Sequence, residues 1–408
     1  MANLVCAGCG SLCDGIQVQI EENRIAVIDK ACAKGAAFLN ALGNPKRRAI
    51  CLVNHKEVSS EKAIEEAKRL LSQSKRPLIF GLDNSTLETQ AVAISLAEKL
   101  GAVLDDASSF TFGELNSSLL KGALPGCTLS QIKDRANLLM YWGSNPMHSH
   151  PRHLSEHSYY AYTDYDIAGW LPKVKLSCVE VRDTEFSYIC NPVFMLSPGK
   201  DREFIQDVLS LIKTGNGTEE AKTFCDLFKL SRLSLIFCGR GLVYSLDGDF
   251  SLFNEMVGKL SQWTKACVIP MIDDVNMFGF NKLLRQKTGH INQVSFSGGV
   301  SHGPEFSFLE QLRKGLPDCI LIIGSDPIST LPVSLRNNLA KTKVICLSSL
   351  ITPTTKAADV VIATAAPGWE QGGKVIRMDG EEVRLIKVRE SAYPSEEEIL
   401  ERLLGEKI

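Results

Sequence analysis

Residues 138–151 read LLMYWGSNPMHSHP, and residues 319–332 read CILIIGSDPISTLP. Each stretch opens on five strand-forming, mostly apolar residues, a run that fits a buried strand. Gly-Ser-Asn-Pro or Gly-Ser-Asp-Pro follows, a string of turn formers. Gly143, Pro146 and Pro151 match Gly324, Pro327 and Pro332 in spacing. Equal spacing at two distant places implies a duplicated α/β unit, each copy carrying a strand that ends in a glycine turn.

The surrounding chain has the same rhythm. Residues 60–73 place Ala63, Ile64, Ala67, Leu70 and Leu71 at helical spacing, and a strand is expected over 77–80. A helix over 87–100 and a strand over 102–104 follow. Further strand-like runs fall at 138–142, 176–181, 233–238, 267–271, 320–323, 344–347 and 360–363. Helical stretches, such as 201–213 and 251–264, lie between them. Alternating strands and helices predict an α/β fold with two doubly wound parallel-sheet units. The expected division is a Cys-rich domain over 1–50, α/β units over 51–215 and 216–366, and a Gly-rich β segment with a helix over 367–408. The linker-like stretch KTGNGTEEA at 213–221 marks the middle boundary. Residues 155–170, with Tyr159, Tyr160, Tyr162 and Tyr165, show no period and are expected as an irregular surface or interface loop.

Ligands of open α/β sheets gather beyond the carboxyl ends of the strands. Glycine there lets backbone approach a ligand, and the next helix offers unpaired N–H groups. Gly143, Ser144 and Asn145, with Gly324, Ser325 and Asp326, are therefore the candidate cofactor-binding residues. The alternative is that each motif only turns the chain, with Asn145 and Asp326 as caps. His148, His150, Arg152 and His153 crowd the first loop. No thiol stands beside these histidines, so Arg152 as an anion or subunit contact is preferred to a zinc site. No Walker A, Gly-x-Ser-x-Gly or His-Glu-x-x-His pattern occurs.

The N-terminus carries a different chemistry. Cys6, Cys9 and Cys13 lie in CAGCGSLC, and Cys32 follows an alternating run, Ile16, Val18 and Ile20, and a second apolar run over 25–28. A hairpin there would return Cys32 beside the first three thiols. Four thiolates suit a [4Fe–4S] cluster. A structural zinc ion is the alternative, and four packed, metal-free thiols the third. The other nine of the 13 cysteines are scattered in apolar surroundings, as buried free thiols in a reducing compartment would be.

Bulk composition adds exclusions. The 408 residues are 44% hydrophobic and 23% charged, with a net charge of −2. That is ordinary for a globular chain and gives no electrostatic footprint for nucleic acid or an anionic membrane. No apolar leader precedes Cys6 and no long apolar run follows, so the expectation is a cytoplasmic protein.

The Cys cluster before two α/β units resembles the molybdopterin oxidoreductases. More narrowly, residues 125–153 (PGCTLSQIKDRANLLMYWGSNPMHSHPRH) resemble the B subunit of formylmethanofuran dehydrogenase. FSGG at 296–299, SDP at 325–327, PTTKAADVVI at 353–362 and WEQGGKVIRMDGEEVR at 369–384 extend the likeness nearly end to end. In the last stretch it is carried by Glu370, Gly373, Arg377, Asp379 and Gly380. The resemblance implies tungsten or molybdenum on two pterin guanine dinucleotides, one per α/β half, and reduction of carbon dioxide to formate. A partner subunit then condenses the formate onto methanofuran.

The same resemblance points to departures. The family's metal-ligating cysteine or selenocysteine and its histidine fall on Thr111 and Phe112, and its arginine falls on Ile272. A Lys-Thr stretch is replaced by Arg182, Asp183, Thr184 and Glu185. A threonine oxygen is a poor donor to a soft metal, and phenylalanine moves no proton. These losses resemble the bacterial formyltransferase/hydrolase complex, whose B subunit does no redox work while partner subunits transfer and hydrolyse the formyl group. The expected function is a degenerate, scaffolding B subunit in tetrahydromethanopterin- and methanofuran-linked one-carbon metabolism, partnered by the other subunits of such a complex. The alternative is a working tungsten or molybdenum pterin subunit, its metal held through another thiol such as Cys127.

Overall fold

Side chains at the helix starts set the frame. Ser59 and Thr86 accept hydrogen bonds from Lys62 N and Thr89 N, capping helices Ser60–Gln73 and Leu87–Leu100. The first helix turns Ala63, Ile64, Ala67 and Leu71 inward, as the 3.6-residue period requires. The second ends on Gly101 in the left-handed conformation. These bounds are the ones the sequence predicts.

The computed structural model describes residues 2–21, 24–132, 135–161 and 174–405. They form two compact units. The first holds the chain up to Ser109, Asp274–Arg377 and the chain from Glu382 onward; the second holds Phe110–Asp273 and Met378–Glu381. The units are woven in sequence rather than laid end to end, which differs from the division expected at 50, 215 and 366. The reason is visible at 213–221: this is the joint between helices Asp201–Thr214 and Glu219–Lys229 inside one unit. Gly215 turns the chain there, and the Thr218 hydroxyl donates to Asp207 at 2.5 Å. A glycine-rich joint of this kind is indistinguishable from a domain linker by composition.

In the second unit five parallel strands lie in the order Val193–Met195, Lys175–Glu180, Leu138–Trp142, Leu233–Cys238 and Lys265–Pro270. Numbered along the unit, the order is 3-2-1-4-5, with its switch point beside Leu138–Trp142. In the first unit the parallel strands run Val103–Asp105, Pro77–Gly81, Cys319–Ile323, Lys343–Ser348 and Val360–Ala363. That is 2-1-3-4-5, extended by short antiparallel strands at both edges. Leu138–Trp142 and Cys319–Ile323 are thus each the middle of their parallel set, and every residue of both is buried. Burial on both faces explains why each reads as an unbroken apolar run.

The N-terminal hairpin also forms. Ile16–Glu21 pairs antiparallel with Arg24–Asp29, and Ala2–Leu4 adds a third strand. Its apolar side packs Leu4, Cys6, Ile16 and Val18 against Leu39, Leu42 and Trp369. Near the C-terminus, hairpin Gly373–Ile376 with Glu382–Leu385 precedes helix Glu396–Leu404, which opens on a capping box at Ser395 and Glu398. In the tyrosine-rich loop, Tyr159–Ala161 form one turn of 3-10 helix; Tyr162 and Tyr165 lie outside the described residues. No helix among those described is long and apolar enough to cross a membrane.

Candidate functional site

Both duplicated turns sit at a switch point, and both are stitched to the neighbouring strand by backbone. In the second unit Gly143 has φ +60°, and a Cβ on it would stand 2.4 Å from Leu242 N. A Cβ on Gly239 would stand 2.2 Å from Gly143 O. The Gly239 and Gly241 N–H groups donate to Trp142 O and Gly143 O at 2.8 and 3.0 Å. Only glycine fits such a crossing. In the first unit a Cβ on Gly81 would stand 2.3 Å from Ile323 O, and Gly324 has φ +56°.

What surrounds the two turns differs. Beside Gly143 lies a cavity of about 360 Å³ bordered by Glu180, Asp201, Gly241, Tyr244 and Ser245. Asp201 accepts from Trp142 Nε1 at 2.6 Å. Glu180 Oε1 and Ser245 Oγ are buried and, among the described residues, have no protein hydrogen bond. Burial pushes the Glu180 carboxyl up, and the N–H groups of Val181 and Ser144 oppose the shift. Beside Gly324, the space is taken by protein: its Cβ would meet Ser85 Oγ at 3.2 Å and Glu396 Oε1 at 3.3 Å. Ser85 donates to Glu396 at 2.6 Å, and Asn84 Nδ2 donates to Gly324 O at 3.1 Å. Burial pushes the Glu396 carboxyl up to about 7.

The polar residues of the two motifs are engaged in turning the chain. Asn145 accepts from Met147 N at 3.1 Å, capping Pro146–Ser149. Asp326 accepts from Thr354 N at 2.9 Å, from the Thr354 hydroxyl at 2.5 Å and from the Ser329 hydroxyl. Ser144 is buried and Ser325 half-buried.

The histidines of the first loop diverge. His148 is exposed and faces Glu185 at 3.5 Å. His150 is buried, with Nε2 2.8 Å from Ile272 O and Nδ1 2.9 Å from Ser149 Oγ. His153 packs edge-on against Tyr141 and Phe237. Arg152 pairs with Glu156 at 2.8 Å. The three imidazoles therefore do not converge. Thr111 is 9% exposed and Phe112 fully buried, immediately before helix Gly113–Leu120; Ile272 is buried as well. Cys127 has a thiol neighbour: its hydrogen bond with Cys267, together with burial, pushes the Cys127 thiol far up.

At the N-terminus, Cys6, Cys9 and Cys13 are buried and Cys32 is half-buried. Cys6 N donates to Cys13 O at 2.8 Å, and Cys32 caps helix Ala33–Gly43 by accepting from Gly35 N at 3.4 Å. A Cβ on Gly35 would stand 3.0 Å from Cys6 Sγ and 3.7 Å from Cys32 Sγ, so this glycine leaves room beside both sulfurs. Burial pushes the Cys9 thiol up, against Ser11 and Lys34, with Cys32 near enough to add to the rise. The hairpin thus returns Cys32 beside Cys6, as its spacing predicts. Four sulfurs are the donor set a [4Fe–4S] cluster or a structural zinc ion takes. Among the described residues, no three His, Cys, Asp or Glu side chains stand at metal-ligand geometry.

One cluster was invisible in the sequence. Asp83, Asp105 and Asp106 follow neighbouring strand ends in the first unit and are all buried. Asp105 accepts from Phe308 N at 2.7 Å, Gln293 N at 3.0 Å and Ser109 Oγ at 2.8 Å. Asp106 accepts from Ser108 Oγ at 2.6 Å and Asn281 Nδ2 at 3.1 Å. Burial raises Asp105 to about 8 and Asp106 to about 6, and it raises Asp83 with help from Asp106 and Asp274. The cluster joins Asp83, just after one strand, to Asp105 and Asp106 at the end of its neighbour, and no local spacing announces it.

No protein-family model matches the chain. It is 31% identical to the B subunit of tungsten-containing formylmethanofuran dehydrogenase 2 from Methanocaldococcus jannaschii, over 95% of this chain and 93% of that one. It is 30% identical to the protein of the same name from Methanococcus maripaludis, with the same coverage. Among solved structures, the formyltransferase/hydrolase complex of Methylorubrum extorquens, determined with methylofuran, matches with a TM-score of 0.69. That match is 18% identical and covers 87% of this chain and 98% of that one. Acetylene hydratase from Pelobacter acetylenicus matches with a TM-score of 0.63 at 12% identity, over 99% of this chain and 69% of that one. These two show the fold, a molybdopterin-oxidoreductase-like α/β architecture. Identity of this extent and coverage with the two archaeal proteins places the chain in the B-subunit family of the formylmethanofuran dehydrogenases.

Proposed function

We propose that the chain is the B subunit of a formylmethanofuran-handling complex in cytoplasmic one-carbon metabolism, and that it scaffolds the complex without redox chemistry of its own. The observation that carries this reading is the pair Thr111 and Phe112. At the positions where the resemblance puts a sulfur or selenium ligand and a proton carrier, the chain has a buried hydroxyl and a buried phenyl ring. A soft metal wants sulfur, and neither side chain supplies it. Cys127, the alternative thiol, is engaged with Cys267 and held as a thiol by that bond and by burial. The residues therefore do not fit a catalytic tungsten or molybdenum centre. In this reading the formyl group moves from tetrahydromethanopterin to methanofuran and leaves as formate on partner subunits.

The N-terminal thiols are the donor set of a different group. Cys6, Cys9, Cys13 and Cys32 are assigned to a structural [4Fe–4S] cluster, with zinc the alternative on the same four sulfurs. Such a group would tie the hairpin to helix Ala33–Gly43, and it would have no redox client within this chain.

A second reading, a working tungsten subunit, is favoured by the name that both archaeal relatives carry. Formate-dependent reduction of a viologen dye by the purified complex separates the two. The scaffold reading predicts formyl transfer without dye reduction. Dye reduction that is lost on Cys127→Ser but not on substitution in a partner would establish the second reading instead.

A further inference from the structure

An open α/β sheet holds its ligand in the crevice at its switch point, and in the first unit that position is built shut. Gly324 follows strand Cys319–Ile323 and turns the chain at φ +56°. Room for a ligand would begin at this glycine, which has no side chain of its own. Instead, a Cβ here would stand 3.2 Å from Ser85 Oγ, 3.3 Å from Glu396 Oε1 and 3.9 Å from Asn84 Cβ. Ser85 and Glu396 are 0% and 3% exposed, so solvent does not share the space with them. Asn84 is pinned from both ends: its Nδ2 donates to Gly324 O at 3.1 Å, and its Oδ1 accepts from Val275 N at 3.1 Å.

Glu396 is held in place by the helix it starts. Helix Glu396–Leu404 buries Ile399, Leu400, Leu403 and Leu404 and packs on helix Leu87–Leu100, where Lys99 Nζ donates to Leu404 O. Its carboxyl accepts from Ser85 Oγ at 2.6 Å. A helix start can attract phosphate through free N–H groups and its dipole, but this one is already satisfied. Ser395 N donates to Glu398 at 2.7 Å and Glu398 N to Ser395 Oγ at 3.1 Å, and three acids fill the first turn. Asp326 adds a further acid at the Gly324 turn. Burial, then Asp326 and Glu396, push the Cys346 thiol up, which sets both acids around one strand end. A nucleotide entering here would have to displace a buried, hydrogen-bonded carboxyl and bring its phosphates beside two acids.

The resemblance implies a dinucleotide in each α/β half, and the residues of the first unit do not fit one. We propose that the C-terminal helix is a built-in plug, which closes the switch-point crevice of the first unit through Glu396 and excludes nucleotides from it. The probe is azido-guanosine diphosphate, photolysed with the full-length chain in its native complex. The readout is label on the tryptic peptide that spans residues 319–332, counted only where excess guanosine diphosphate competes it away. The parent peptide should stay unlabelled. Glu396→Ala should raise the label at least about tenfold, the equivalent in affinity of a buried hydrogen bond that no longer has to be displaced. Glu397→Ala, one residue further along the same helix, should leave the peptide unlabelled. Glu396→Ser gives a second opened crevice, and unfolding midpoints verify that each variant is folded. Label on the parent peptide that falls or stays level when Glu396 is replaced would make Glu396 the wall of a working site and overturn the plug. Absence of label from both folded, opened variants would show that something other than Glu396 keeps the nucleotide out, and would overturn it as well. None of these outcomes depends on Thr111, so the plug can fail while the scaffold reading, which metal content tests, stands.

Discussion

Replacing Glu396 by glutamine should make the protein more stable at alkaline pH and leave it nearly unchanged in acid. The carboxyl is buried beside the Gly324 turn, and burial raises it from an ordinary 4.5 to about 7, opposed by the Ser85 hydroxyl. A group that holds its proton more tightly when folded contributes its full stabilisation below the unfolded value. That contribution declines as pH rises from 4.5 and is gone once pH passes about 7. A rise of this size corresponds to about 3 kcal/mol between the acid and alkaline limits. A glutamine at this position has no proton to lose, and its amide oxygen can still accept from Ser85 Oγ. Urea unfolding of parent and Glu396→Gln at steps from pH 5 to pH 8.5 gives the difference directly, since every other titrating group is shared. The two proteins should differ by less than about 1 kcal/mol at pH 5, and the variant should lead by about 3 kcal/mol at pH 8.5. Parallel profiles at all pH values would refute the reasoning, because Glu396 would then titrate alike in both states.

Three further predictions follow from single contacts. Gly143→Ala combines a left-handed backbone with a Cβ 2.4 Å from Leu242 N, and should cost about 3 kcal/mol or more in urea unfolding; Gly122→Ala, at φ +73° with open space around it, should cost only about 1 kcal/mol. Trp142→Phe removes the donor to Asp201 and should cost about 2 kcal/mol, with little loss if Asp201 is changed to Leu in the same chain. Cys9→Ser should abolish sulfide-associated iron and speed proteolysis between Ile16 and Cys32; equal iron in variant and parent would remove the cluster assignment.

Much of the fold was legible because its signals are local. Helices Ser60–Gln73 and Leu87–Leu100 are announced by a capping side chain and an apolar period, and the central strands by unbroken apolar runs. The likeness of Gly143 and Gly324 was legible because both take a left-handed backbone, at φ +60° and +56°, which favours glycine in each unit. The weaving of the two units was not, since it depends on pairings such as Cys319–Ile323 with Pro77–Gly81, far apart in sequence. Helix Ser251–Leu260 ends short of the expected Thr264, where Ser261 closes the last turn and strand Lys265–Pro270 begins. The candidate site divides in the same way. Glycines and cysteines declare themselves by spacing. Glu180, Glu396 and the Asp83, Asp105 and Asp106 cluster are single acids whose importance comes only from burial.

The most direct test of the central claim is the tungsten and molybdenum content of the intact complex, measured per mole of this chain together with guanine nucleotide released by acid. A scaffold subunit, with Thr111 and Phe112 where the resemblance puts the metal ligand and the proton carrier, predicts neither metal nor pterin nucleotide in stoichiometric amount. One tungsten or molybdenum per chain, accompanied by two guanine nucleotides, would contradict it.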